Sequence, residues 1–284
     1  MKFQQIRSAT IKITYDGRTY LIDPWLQPRF MMGSFGLVKV LCAIHRKLDI
    51  PEVREVRDHM ATMNVDSMKK RWRMMPLKGL PMSVKEVLDG VDTYLVTHVH
   101  GDHIGLKLNF KAGDKLKKKT PMVVQSREDK AYMEYSGFKD VRVLEDKMTF
   151  GTTEIIRTDC IHGSKIPCGD AVGYIFRSPN EKTLYVCGDT IWYDGVKKVI
   201  DTYHPDVIIT NNCAADFVEY GRLIMDEKDL AEVVKAAPNA FIIASHMDNV
   251  THATITRKSL KKMLKKMGIL DRVHIPEDGE VYTI

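Results

Sequence analysis

Near the start of the chain, apolar and polar positions alternate. Ile11, Ile13 and Tyr15 are separated by Lys12 and Thr14, Asp16-Gly17 supplies a turn, and Tyr20 and Ile22 resume the alternation. A period of two places like side chains on one face, so this stretch predicts a β-hairpin, ended by Asp23-Pro24-Trp25. From about Gln27 to Gly90 the pattern stops. Phe35 to Leu48 and Val53 to Met75 read as helices, and eight of the sixteen methionines fall between Met31 and Met82, which marks a helical insertion. After Val91, strand-like and helix-like runs alternate. Strands are expected at Tyr94–Val96, Pro121–Gln125, Val141–Leu144, Glu154–Thr158, Leu184–Val186, Val207–Thr210, Phe241–Ser245 and Val281–Thr283. Helices are expected at Arg127–Ser136, Val196–Thr202, Asp226 to about Ala236, and Ser259–Lys266. This order predicts an α/β fold.

The strand Tyr94-Leu95-Val96 runs directly into Thr97-His98-Val99-His100-Gly101-Asp102-His103. Three imidazoles and a carboxylate in six residues form a donor set for zinc and its first-row neighbours. His98 and His100 can serve one ion while Asp102 and His103 serve a second.

The H-x-H-x-D-H spacing resembles the signature of the metallo-β-lactamase superfamily. That resemblance implies an αβ/βα four-layer sandwich over residues 1–284, two mixed sheets face to face with helices outside, carrying residues 27–90 as an insertion. It also implies a third His, an Asp and a last His further along, each after a strand. His162, Asp189 in Cys187-Gly188-Asp189-Thr190, and His246 in Ala244-Ser245-His246 stand in that order. On this reading His98, His100 and His162 hold one divalent ion, Asp102, His103 and His246 hold a second, and Asp189 bridges them. The ions are expected to be zinc, with manganese or iron as alternatives. A shared water that loses its proton near neutral pH is the nucleophile, which makes the chain a metal-dependent hydrolase.

A finer resemblance is to the ascorbate-6-phosphate lactonase-like subgroup. It rests on the segments Met75–Met82, Leu184–Trp192 and Ser245–His252 with Thr256-Arg257. It makes His252 a candidate proton donor or substrate contact; Asn211 and Asn212, at the end of the strand from Val207, are further candidates beside the metals, and the superfamily resemblance, whose members often carry an Asp-Pro after the first hairpin, makes Asp23 a candidate neighbour of the ligands. The insertion is expected to act as a lid, with Met74 and Met75 as pocket contacts; a plain extra helical layer is the alternative.

His100 stands where oxygen-reducing diiron members carry Glu, and Asp189 stands where some zinc β-lactamases carry Cys. The expected reaction is cleavage of a small ester, lactone or phosphoester. The alternatives are a single-iron thiol or persulfide oxidoreductase and a phosphodiesterase acting on a nucleotide or lipid headgroup.

Composition changes this picture little. The formal charge of +6 arises from 43 basic and 37 acidic residues, and the lysine runs near 115–119 and 261–266 read as solvated faces. A small-molecule substrate is therefore expected, with no nucleic acid and no membrane span, and a homo-oligomer remains open. The odd count of five cysteines, with no paired spacing, points to reduced thiols and a cytoplasmic setting, and Cys160 and Cys187 read as small buried residues.

Overall fold

The computed structural model describes residues 1–284. The first half begins with β1 (Lys2–Arg7), β2 (Thr10–Tyr15) and β3 (Arg18–Ile22). The insertion supplies α1 (Phe35–Leu48), α2 (Pro51–Thr62), α3 (Met68–Trp72) and α4 (Val84–Leu88). Then come β4 (Thr93–Leu95), α5 (Gly101–Ile104), β5 (Met122–Val124), α6 (Arg127–Tyr135) and β6 (Val141–Val143). The second half has β7 (Lys147–Phe150), β8 (Thr153–Asp159), β9 (Val172–Ser178), β10 (Glu181–Val186), α7 (Asp194–Tyr203) and β11 (Val207–Asn211). A two-stranded ribbon of β12 (Asp216–Phe217) and β13 (Gly221–Arg222) follows, then α8 (Glu227–Ala236), β14 (Phe241–Ser245), α9 (Arg257–Met267), β15 (Val273–His274) and β16 (Val281–Thr283).

The strands form two seven-stranded sheets, ordered β16-β1-β2-β3-β4-β5-β6 and β15-β14-β11-β10-β9-β8-β7. In each, one half is antiparallel and the other parallel. Three apolar clusters fill the gaps between layers. Ile11, Ile13, Tyr20 and Leu95 of the first sheet meet Tyr174, Phe176, Val186 and Ile209 of the second. Leu21, Tyr94 and Val124 face the helices outside the first sheet. Ile175, Tyr185 and Ile242 face those outside the second. Alternation along β3 explains the division: Tyr20 and Ile22 point into the middle and Leu21 points out. This is the expected αβ/βα four-layer sandwich.

The insertion touches both outer cores, since Val38, Val53 and Met60 belong to one and Phe35, Met63 and Met75 to the other. Pro51, which needs no backbone donor at a helix start, opens α2. The helix expected over Val53–Met75 is in fact two. α2 stops at Thr62, and α3 restarts after Ser67, whose hydroxyl accepts from the Lys70 N–H. The intervening Asn64, Asp66 and Ser67 compete for backbone hydrogen bonds and favour turns over helix interiors. No helix is long and apolar enough to cross a membrane, and all five cysteines are unpaired.

Candidate metal centre

The seven expected ligands come together at one edge of the sandwich, all buried. Strand ends position them. His98 and His100 follow β4, Asp102 and His103 lie in α5, and His162, Asp189 and His246 follow β8, β10 and β14. His246 adopts a left-handed backbone (φ 61°), held by its N–H donating to Ser8 O at 3.1 Å. Such strain at a non-glycine residue persists where surrounding contacts impose it.

Two donor groups result. His98 Nε2 lies 2.8 Å from His100 Nδ1, and His162 Nε2 lies 3.4 Å from that same atom. In the second group His246 Nε2 is 3.1 Å from His103 Nε2 and 3.7 Å from Asp102 Oδ2. Asp189 Oδ2 sits between the groups, 3.9 Å from His98 Nε2, 3.2 Å from His103 Nε2 and 3.8 Å from His246 Nε2. An ion bound tetrahedrally at 2.0–2.1 Å spaces its donors about 3.3 Å apart. The observed separations bracket that value, so the residues fit two divalent ions.

The outer ring nitrogens also have partners, as metal-ligating histidines generally do. His98 Nδ1 is 3.0 Å from Thr97 Oγ1, and His162 Nδ1 donates to Leu223 O at 3.2 Å. His246 Nδ1 is 3.1 Å from Ser8 Oγ, and His103 Nδ1 is 2.8 Å from Asp23 Oδ2. Asp23 also accepts from the Thr97 N–H at 2.8 Å and the Thr97 hydroxyl at 2.7 Å, which ties β3 to the ligand loop. The partner of His100 Nε2 is His59 Nε2, 3.1 Å away on α2. Nothing in the sequence pattern singled out His59. Its only signal is a position on the insertion helix that faces the site.

Burial, reinforced by neighbouring imidazoles, pushes His98 and His100 well below the ordinary histidine range and so favours neutral rings. Burial opposes charge on Asp189 too, but His103 and His246 outweigh it and hold that carboxyl well below its usual range. Asn211 Nδ2 donates to Asp189 Oδ1 at 2.6 Å. Asn212 instead bonds the Thr210 hydroxyl. Cys160 donates to Cys187 O at 3.2 Å, and neither thiol joins a donor cluster.

Over the centre lies a small cavity walled by Met32, Phe35, Met60, Met63, Phe217 and Leu223. Its free volume is about 20 Å³, room for about one water. His252 lines it, stacked on Phe217 with ring centroids 4.9 Å apart, and its buried Nδ1 has no partner. The expected pocket contacts Met74 and Met75 are not in this wall. Met74 is exposed, and Met75 packs beneath, its sulfur accepting from the Thr251 N–H and hydroxyl at 3.3 and 3.2 Å. Two of the segments behind the finer resemblance meet here, because Leu77 N–H donates to Asn249 O at 2.9 Å.

The beta-lactamase superfamily domain model matches residues 61–247. The UPF0173 protein YddR of Bacillus subtilis is 36% identical over the full length of both chains. A structure described as a possible metal-dependent hydrolase from Veillonella parvula is 31% identical with a TM-score of 0.82, covering 100% of this chain and 99% of that one. An isothiocyanate hydrolase from Delia radicum gut bacteria is 29% identical with a TM-score of 0.79 over the same shares. With a matching domain model, a full-length relative and the buried donor set in agreement, the chain belongs to the beta-lactamase superfamily and is a metal-dependent hydrolase of the metallo-β-lactamase fold.

Proposed function

We propose that this hydrolase cleaves a small, uncharged carbon electrophile with an apolar substituent: an ester, a lactone or an isothiocyanate. The observation that carries this reading is the cavity wall. Thioethers, phenyl rings and a leucine surround the donor cluster, and no lysine or arginine lines the cavity. Apart from the ions themselves, a phosphoester would find no lysine or arginine there to hold its remaining charged oxygens, whereas an apolar substituent finds a matching wall. The likeness to an isothiocyanate hydrolase supports the same class.

In this reading His98, His100 and His162 would hold one divalent ion, Asp102, His103 and His246 would hold the other, and Asp189 would serve both. Five imidazoles and two carboxylates suit zinc, with manganese or iron as alternatives. When bound, the ions supply Lewis acidity, polarising the scissile bond and lowering the pKa of water. Asn211 fixes the orientation of the bridging carboxylate. His252, whose Nε2 lies 3.9 Å from Asp102 Oδ2, offers its ring as a hydrogen-bonding contact to substrate. The insertion acts as a lid, because Met32, Met60 and Met63 must move before a substrate fits, and thioether side chains adapt readily.

The test is turnover by zinc-loaded protein of an aralkyl isothiocyanate, an aryl ester, a lactone and a diaryl phosphodiester. Turnover of a carbon electrophile without the phosphodiester supports the reading. Phosphodiesterase activity alone, or oxygen consumption with a persulfide, overturns it.

A further inference from the structure

On the far side of His100 from Asp189 another set of donors converges. His59 Nε2 lies 3.1 Å from His100 Nε2, Cys168 Sγ lies 3.9 Å from His59 Nε2, and all three atoms fall within 4.8 Å of one another. Tetrahedral bonds of 2.0–2.1 Å to nitrogen and 2.3 Å to sulfur space donors about 3.3 Å (N to N) and about 3.6 Å (N to S) apart. His59, His98 and His100 also line a second cavity, of about 500 Å³, whose wall carries Glu52, Glu55, Asp58, Glu128, Asp129 and Asp170. Asp58 is paired with Arg46 and Arg57, the other five carry no ion pair, and no lysine or arginine lines this space. Two acceptors in its wall, Gln125 Oε1 and Asp129 Oδ2, are buried without a partner, and Gln125 is only 7% exposed. In a chain of net charge +6, so acidic an opening concentrates cations locally.

We propose that divalent cations enter through this acidic cavity and pause on His59, Cys168 and His100 Nε2 before reaching the centre, a proposal that rests on the metal-centre reading. A neutral imidazole has one lone pair, so His100 serves the outer ion through Nε2 or the inner ion through Nδ1, one at a time. While the outer nitrogen ligates, the ring proton is on Nδ1. As the ion passes inward, Nδ1 would give that proton to water and Nε2 would take one from water, donating it as a hydrogen bond to His59. Cys168 gives a proton to water when it binds the ion and takes one back on release.

The experiment mixes apo protein with Co²⁺ in a stopped-flow spectrometer. A thiolate-to-cobalt charge-transfer band should rise and then decay in the wild type. Cys168→Ser should abolish it without changing the final cobalt content. Glu55→Gln with Asp170→Asn should slow loading about tenfold or more. Circular dichroism checks that each variant is folded, and the wild-type band stands as evidence independent of any variant. A wild type with no transient band, a band that survives Cys168→Ser, or carboxylate variants loading at the wild-type rate overturns the route. In those cases cobalt still binds tightly at equilibrium, whereas failure of the metal-centre reading itself appears as no tight uptake at all.

Discussion

Replacing Asp23 with Asn keeps the size and shape of the side chain and changes one acceptor into a donor. Asp23 Oδ1 accepts from the Thr97 N–H at 2.8 Å, so the amide oxygen belongs there. The new NH₂ then faces the Thr97 hydroxyl and His103 Nδ1, which stood 2.7 and 2.8 Å from the replaced oxygen. The hydroxyl can rotate, but the imidazole cannot adapt without changing tautomer. Its Nδ1 becomes an acceptor and its proton moves to Nε2, the atom 3.2 Å from Asp189 Oδ2 that the second ion would need. Losing such an outer partner typically costs 10–100-fold in metal affinity, about 1.4–2.7 kcal/mol. Asp23→Asn should therefore stay folded and lose the second ion selectively. Asp23→Ala strands three buried donors and should cost about 3–5 kcal/mol of stability instead. Competition with a chromogenic chelator, metal content after dialysis and thermal melts measure the three quantities. Two ions bound by Asp23→Asn at wild-type affinity would refute the tautomer argument.

Chelation should leave a folded protein that melts cooperatively at a lower Tm, because three apolar cores remain without the ions; loss of far-UV circular dichroism at room temperature on adding chelator would contradict this. Met63→Gln should raise KM several-fold for an apolar substrate while Met74→Gln leaves it unchanged, since only Met63 lines the cavity; equal effects would remove the lid from the account. Gly163→Ala should destabilise by about 1–3 kcal/mol, because φ there is 129° and a Cβ would sit 2.2 Å from Ile166 O; an unchanged denaturant midpoint would show that this turn relaxes freely.

The α/β order of elements and the His98–His103 cluster were legible from short-range pattern, whereas the two-sheet sandwich and the roles of His162, Asp189 and His246 came from the family resemblance that the cluster carries. Alternation along β2 and β3 marks their faces, and the apolar runs before His98, Asp189 and His246 mark buried strands that end in donors. β9 was not legible. Val172-Gly173-Tyr174-Ile175-Phe176 is a buried apolar run like those of β11 and β14, but it contains a glycine and leads into no metal-donor residue that would single it out. The cavity wall was also hidden. Met74 and Met75 are nearer in sequence to the metal strand, yet Met60 and Met63 reach the site because α2 ends at Thr62 and turns the chain across it. His59 was invisible for the same reason: its partnership with His100 depends on how the insertion docks.

The division of donors between the sheets has a consequence for folding. Each proposed ion position draws on both: His98 and His100 with His162, and Asp102 and His103 with Asp189 and His246. Neither half of the chain can assemble a full site alone, so tight metal binding reports that the halves have docked in register. Any slip of one sheet along the other would be felt first as lost metal affinity, before helix or strand content changes. The ions would then act as a clasp across the seam, and their release would give early warning of global unfolding.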